Sequence, residues 1–234
     1  MVLYTLKKNN HPHPTLLSDF ILGSQDGLVN VLGILLGVAA ATSDIRILFV
    51  AGLAALGAES ISMGAVAYTS TLARHRYYLK AVEKEQNELK NSAHKKGEIK
   101  RILKGWGYAG KELEELTKSI AGNSKATLDF MMSFEHHLAP VDRSAPLRSF
   151  FVVLSATIFG SVIPLLPFLF THNILLGAIG AVILSGITLF VIGYYEAKIT
   201  VGSLWLSGLQ MLAIGLVAGF AGYLIGHYVG GVPV

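Results

Sequence analysis

Five stretches of this chain are apolar for long enough to cross a bilayer, which takes about 20 residues of α-helix. They run over 16–42, 45–73, 150–170, 174–195 and 204–229. Largely apolar runs of this length read as spanning helices. The fold class that follows is all-α: a polytopic membrane protein of five transmembrane helices, with a polar helical segment between the second and third. The expected divisions are an N-terminal tail over 1–15, spans one and two over 16–74, the polar segment over 75–147, and spans three to five over 148–230.

Charge placement agrees with this division. Only 15% of residues are charged, against roughly 25% in an average soluble domain. The segment 74–148 holds 15 of the 19 Lys and Arg and 10 of the 15 Asp and Glu. The basic excess beside the spans explains the net charge of +4 through membrane topology, so no nucleic-acid partner is expected. The chain has no cysteine, which excludes disulfides and thiolate sites and leaves oxygen, imidazole or thioether ligands for any metal. The opening MVLYTLKKNNHPHP lacks the short apolar core and cleavage site of a signal peptide, so the first apolar helix is expected to be retained.

Short connections at Ser43-Asp44 and at Thr171 to Asn173 predict antiparallel hairpins, and Glu196 to Ser203 makes a third turn. With the N-terminus in the cytoplasm, Lys7, Lys8, the polar segment and Lys198 lie inside and Arg46 alone lies outside. Five spans then put the C-terminus on the far side. In the polar segment, YYLKAVEKEQNELKN from Tyr77 is rich in helix formers and continues the second span without a break. Further helices are predicted over Glu98 to Trp106, Lys111 to Ile120 and Lys125 to His137, with Pro140 and Pro146 marking the return to the membrane.

Ionisable groups within a span cost about 2.5–3.5 kcal/mol on insertion scales, so Asp19, Asp26 and Glu59 are each candidates for function. Asp19 lies in the first turn, where headgroup water or helix capping accounts for it. Asp26 lies roughly 14 Å into its span at 1.5 Å per residue, and Met63 lies at a similar depth on the antiparallel second span. A carboxylate compensates the charge of a divalent cation, and a thioether favours later transition metals over magnesium or calcium. Glu59, one turn from Met63, is either a buried structural acid or a proton-coupling group. In the polar segment Glu85, Glu88 and Glu98 accompany a cluster of Met131, Met132, Glu135, His136 and His137. Met131 and Glu135, one turn apart on a helix, can point at a common centre. Glu112, Glu114 and Glu115 read as a solvated face.

SDFILGSQDGLVNVLGILLGVAAA and AGLAALGAESISMGAVAY resemble the first and second spans of the vacuolar iron transporter family in its prokaryotic type. SATIFGSVIPLLPFLF and SGLQMLAIGLVAGFAGYLIG resemble the third and fifth. The resemblance implies a homodimer of five-span protomers, transporting Fe2+ or another divalent metal such as Mn2+ out of the cytosol by proton antiport, with no prosthetic group and no enzymatic activity. It implies a cell membrane in a prokaryote or a vacuolar-type membrane in a eukaryote. Asp26 and Met63 match the family's intramembrane metal positions, and Glu85, Glu88, Glu98, Met131, Met132 and Glu135 match its cytoplasmic ligands. Two departures stand out. Ala67 replaces an acid while Glu59 appears where a small residue is usual, and HKKGE places Lys95 where the family supplies a glutamate, which is expected to weaken the cytoplasmic site or alter its stoichiometry. The alternatives are a passive channel of the same fold and a ferroxidase-type enzyme; the latter lacks the paired Glu-x-x-His motifs of di-iron bundles.

Overall fold

The structure, a computed structural model, describes residues 14–89 and 92–230. The expectations for the N-terminal tail with Lys7 and Lys8, and for the last four residues, lie outside the described residues. Among the described residues all regular structure is helical: α1 (Pro14–Ala41), α2 (Ile45–Glu88), α3 (Ser92–Gly105), α4 (Gly110–Ala121), α5 (Ser124–Phe134), α6 (Ala145–Phe170), α7 (Ile174–Ile199) and α8 (Leu204–Gly230). Helices α1, α2, α6, α7 and α8 are long and apolar enough to cross a membrane. The chain is an all-helical, multi-pass integral membrane protein. The contacts of the described residues divide them into one compact unit within 14–68 and 147–230 and a second within 69–146, with the boundary inside α2.

The second span and the helix predicted from Tyr77 are one continuous α2 of 44 residues. No proline or glycine interrupts it after Gly64, and the sequence changes from apolar to charged without losing helix formers. Several boundaries differ from expectation: α6 begins at Ala145, five residues early, and α7 runs to Ile199, taking in the first half of the turn expected over Glu196 to Ser203. Helix α3 begins at Ser92 instead of Glu98, taking Gly97 into its interior. Helix α5 stops at Phe134 instead of His137, because His137 takes a left-handed φ of 52°, which a helix cannot continue.

In the first unit the apolar core joins Val31, Leu32 and Leu35 of α1, Leu48 of α2, Leu165 and Phe168 of α6, and Ala181 of α7. Between lipid-facing helices there is little hydrophobic gain from association, so close backbone packing takes its place. Helices α1 and α8 show this most clearly. A Cβ on Gly222 would stand 2.1 Å from the carbonyl oxygen of Gly33, and one on Gly226 1.8 Å from that of Gly37. The pairs advance together by one turn along both helices, so α1 and α8 run parallel. Gly23 and Gly27 likewise face Val153 and Thr157 of α6, again in parallel, whereas Gly52 and Gly64 of α2 face Leu165 and Phe150 of α6, in antiparallel order. An odd number of alternating spans requires this arrangement of the first, third and fifth.

Gly226→Leu is therefore expected to force α1 and α8 apart and to destabilise the detergent-solubilised protein by about 3 kcal/mol, in the upper range for overpacking. Gly57→Ala, where an added Cβ meets nothing within 4 Å, is expected to leave the melting temperature within about 2 °C of the parent, since Ala is the better helix former. Equal thermal unfolding of the two variants would contradict the close-packing account.

Candidate functional site

Two groups of polar side chains stand out, one in each unit. In the first, Asp26, Asn30 and Ile34 recur at every fourth position of α1 and so share one face. On α2, Ala55, Ala58, Glu59, Ser62 and Met63 form the matching stripe. Together these eight residues line a cleft of about 520 Å³. The antiparallel register, with Asn30 against Glu59 and Leu35 against Gly52, brings Met63 opposite Asp26. Asp26, Glu59 and Met63 are half-buried, whereas Asn30, Ala58 and Ser62 are exposed, so the cleft opens on the surface of the single chain.

Asn30 Nδ2 donates a hydrogen bond to Glu59 Oε1. Sequence reasoning passed over Asn30, although its place one turn after Asp26 was the available signal. Ser60, beside the cleft residues on α2, is buried and does not line the cleft. Asp19 accepts a hydrogen bond of 2.7 Å from Ser149 Oγ of α6, a structural partner that accounts for it.

The second unit is built from short helices on a small apolar core of Ile99, Leu103, Leu113 and Met131. Gly107, at φ 96°, makes the turn out of α3, and the side chain of Asn123 caps α5 by accepting from the N–H groups of Lys125 and Ala126 at 3.0 and 3.1 Å. After α5 the chain returns along α2, held by His75 Nδ1 at 2.7 Å from the carbonyl of Val141 and by His136 Nε2 at 3.1 Å from Glu85 Oε2.

This return brings Glu85, Glu88, Glu98, Glu135 and His136 together, and it brings Lys95 into their midst. Lys95 is 3% exposed, and its Nζ lies 2.8 Å from Glu85 Oε1, 3.0 Å from Glu88 Oε2 and 2.9 Å from Glu98 Oε2. Glu85 is itself 1% exposed. Ligand atoms of Glu85, Glu135 and His136 lie within 4.8 Å of one another, close enough to share a cation. Glu135 Oε2 is buried with no hydrogen-bond partner among the described residues. Met131 packs in the apolar core instead of sharing a centre with Glu135, which lies beyond the helix end as its C-cap. Met132 is buried at 3% exposure, and His137 is exposed. Glu114 and Glu115 pair with Lys100 and Lys111 on an exposed face.

Burial by itself would lower the pKa of Lys95, but hydrogen bonds to Glu85, Glu98 and Glu88 outweigh it and hold the ammonium above the ordinary lysine value. The hydrogen bond from Lys95 in turn holds Glu88 below the ordinary carboxylate value. For Glu88 the stabilisation is present above the ordinary carboxylate range and is lost as pH falls through its lowered value. For Lys95 it is complete below 10.5 and is lost only as pH rises through the raised value. Trp106 packs on Phe130 and Phe134, with centroids 5.8 and 4.7 Å away. In a Trp205→Phe background its emission is expected to change as pH falls below the carboxylate range, near pH 4. Emission unchanged through that range would show that the ion-pair cluster does not hold the unit.

A multi-pass helical bundle with an acidic cleft at membrane depth, carrying a second carboxylate cluster in a polar helical unit, defines an integral membrane protein built to handle cations. The sequence profile of the VIT family matches residues 17–227, and the chain belongs to that family. It is 28% identical over 215 residues to "Vacuolar iron transporter 1" of Arabidopsis thaliana, covering 92% of this chain and 86% of that one. It is 29% identical to "Vacuolar iron transporter 1" of Eucalyptus grandis, covering 89% and 84% of the two chains. It is 26% identical to "Protein CCC1" of Saccharomyces cerevisiae, covering 90% and 68%. The family is one of transporters, not of enzymes.

Proposed function

We propose that this chain exports a divalent transition metal from the cytosol, with Fe2+ as the first candidate and Mn2+ as the second, in exchange for protons. The observation that carries this reading is the cleft in which Asp26, Asn30, Glu59, Ser62 and Met63 meet at membrane depth. A carboxylate there is expensive to keep unless it serves a cation pathway. Asp26 and Met63 together suit a cation softer than magnesium. The names of the relatives, vacuolar iron transporters among them, support iron.

The polar unit is cytoplasmic in this reading. Its carboxylates, Glu85, Glu88, Glu98 and Glu135, with His136 beside them and Met131 and Met132 behind, collect the hydrated ion. Asp26 in its deprotonated form then receives it, with Met63 as the second ligand. Glu59 and Asn30 lie one turn further from the cytoplasm, so a proton arriving from the far side reaches Glu59 before Asp26. Protonation of Asp26 removes the charge that held the metal and releases it outward.

The same cleft supports a homodimer. Exposed Asn30 and Ser62 at membrane depth would face hydrocarbon in a single chain, and a second copy laid over α1 and α2 would cover them. The expected result in proteoliposomes is Fe2+ uptake that alkalinises the lumen in step with metal entry, because protons leave as metal enters, and a loss of about 100-fold or more in Asp26→Asn, as for removal of a charge from a buried ion site. Undiminished flux in Asp26→Asn would rule out the cleft as the pathway. Metal entry without any luminal pH change would favour the passive channel.

A further inference from the structure

The ammonium of Lys95 lies where a cation bound by Glu85, Glu88 and Glu98 would lie. An ammonium has three N–H donors, and three carboxylate oxygens from three residues stand within 3.0 Å of this one. It is buried, unlike a lysine on a solvated face. Glu98 is committed on both sides, since His94 Nε2 lies 3.0 Å from its Oε1 while Lys95 takes its Oε2. Glu85 is divided in the same way, with Oε1 toward the ammonium and Oε2 toward His136. Glu135 Oε2, by contrast, is buried with neither a hydrogen-bond partner nor an ion pair among the described residues.

We propose that Lys95 is a built-in cation that takes the place of one divalent metal ion among Glu85, Glu88 and Glu98, and that it confines metal in this unit to Glu85, Glu135 and His136. The proposal rests on the reading of this cluster as a metal-capture site and specifies what that site can hold. A divalent ion entering the Glu88–Glu98 end would have to displace a tethered ammonium already ion-paired with three carboxylates. An ion at Glu135 and His136 shares only Glu85 with the ammonium, and the two cations are then bridged by a carboxylate that offsets their repulsion. The tether also joins the end of α2 to α3 by ion pairs that need no metal. The unit therefore keeps its shape when metal leaves, and each chain carries a smaller metal load.

The test uses full-length protein in detergent, with Fe2+ alone as the probe under anaerobic conditions, measuring bound metal per chain and the melting temperature with and without metal. Lys95→Gln is expected to bind about one Fe2+ more per chain than the parent, and to melt lower without metal but regain the difference with it, because metal then supplies the missing charge. Equal stoichiometry in Lys95→Gln and the parent would overturn the proposal while leaving metal capture intact. The double substitution Glu135→Gln and His136→Ala is expected to lose metal; if it binds as much Fe2+ as the parent, the metal-capture reading fails, and the proposal with it. Should Lys95→Gln be recovered unfolded, the paired Lys95→Gln and Glu88→Gln protein decides, because one carboxylate leaves with the ammonium. Recovery of folded protein in the pair supports the counter-ion role, and an equally unfolded pair overturns it.

Discussion

Everything in the first unit depends on the cost of placing polar groups where water cannot reach them. That cost makes the spans helical, since only a helix satisfies its own backbone within one segment. It also makes glycine the residue of contact. With lipid as apolar as the side chains, α1 and α8 gain from approaching until the backbones of Gly33 and Gly222 touch, and any Cβ at that point would be too large. The same cost makes the few polar residues that remain informative. Asp19 is answered by Ser149 and Glu59 by Asn30, each across a helix pair.

The second unit answers the opposite question, how a carboxylate can be buried among others. Glu85 is almost fully enclosed, and an isolated charge there would cost several kcal/mol. Lys95 and His136 supply the compensation from two directions. One comes from α3, ten residues along the chain, and the other from the segment after α5, some 50 residues along. The polar unit is thus organised around a charge balance, where the membrane unit is organised around close contact between small residues.

Much of this was legible in the chain itself. The five spans, the continuous passage of α2 out of the apolar region, and the level placement of Asp26 and Met63 follow from run length, helix propensity and a rise of about 1.5 Å per residue, because each depends on local geometry along one or two helices. Some boundaries were not legible. The stop of α5 at Phe134 turns on the backbone of His137, and nothing in Lys125 to His137 announces a left-handed residue. Asn30 was passed over because an amide inside an apolar run has no formal charge to mark it, and its meaning appears only when Glu59 faces it.

Lys95 separates most clearly what each level decides. The sequence by itself determined that a basic residue stands among glutamates near the end of a helix, and so that the local charge differs from a purely acidic cluster. It could not determine where the ammonium points, since a lysine in a polar helix is ordinarily solvated and its long stem reaches many places. Only the tertiary structure decided that, by bringing the end of α2, the start of α3 and the return after α5 around one point. Burial is a property of what surrounds a side chain, and here those surroundings come from residues as far apart as Glu85 and His136.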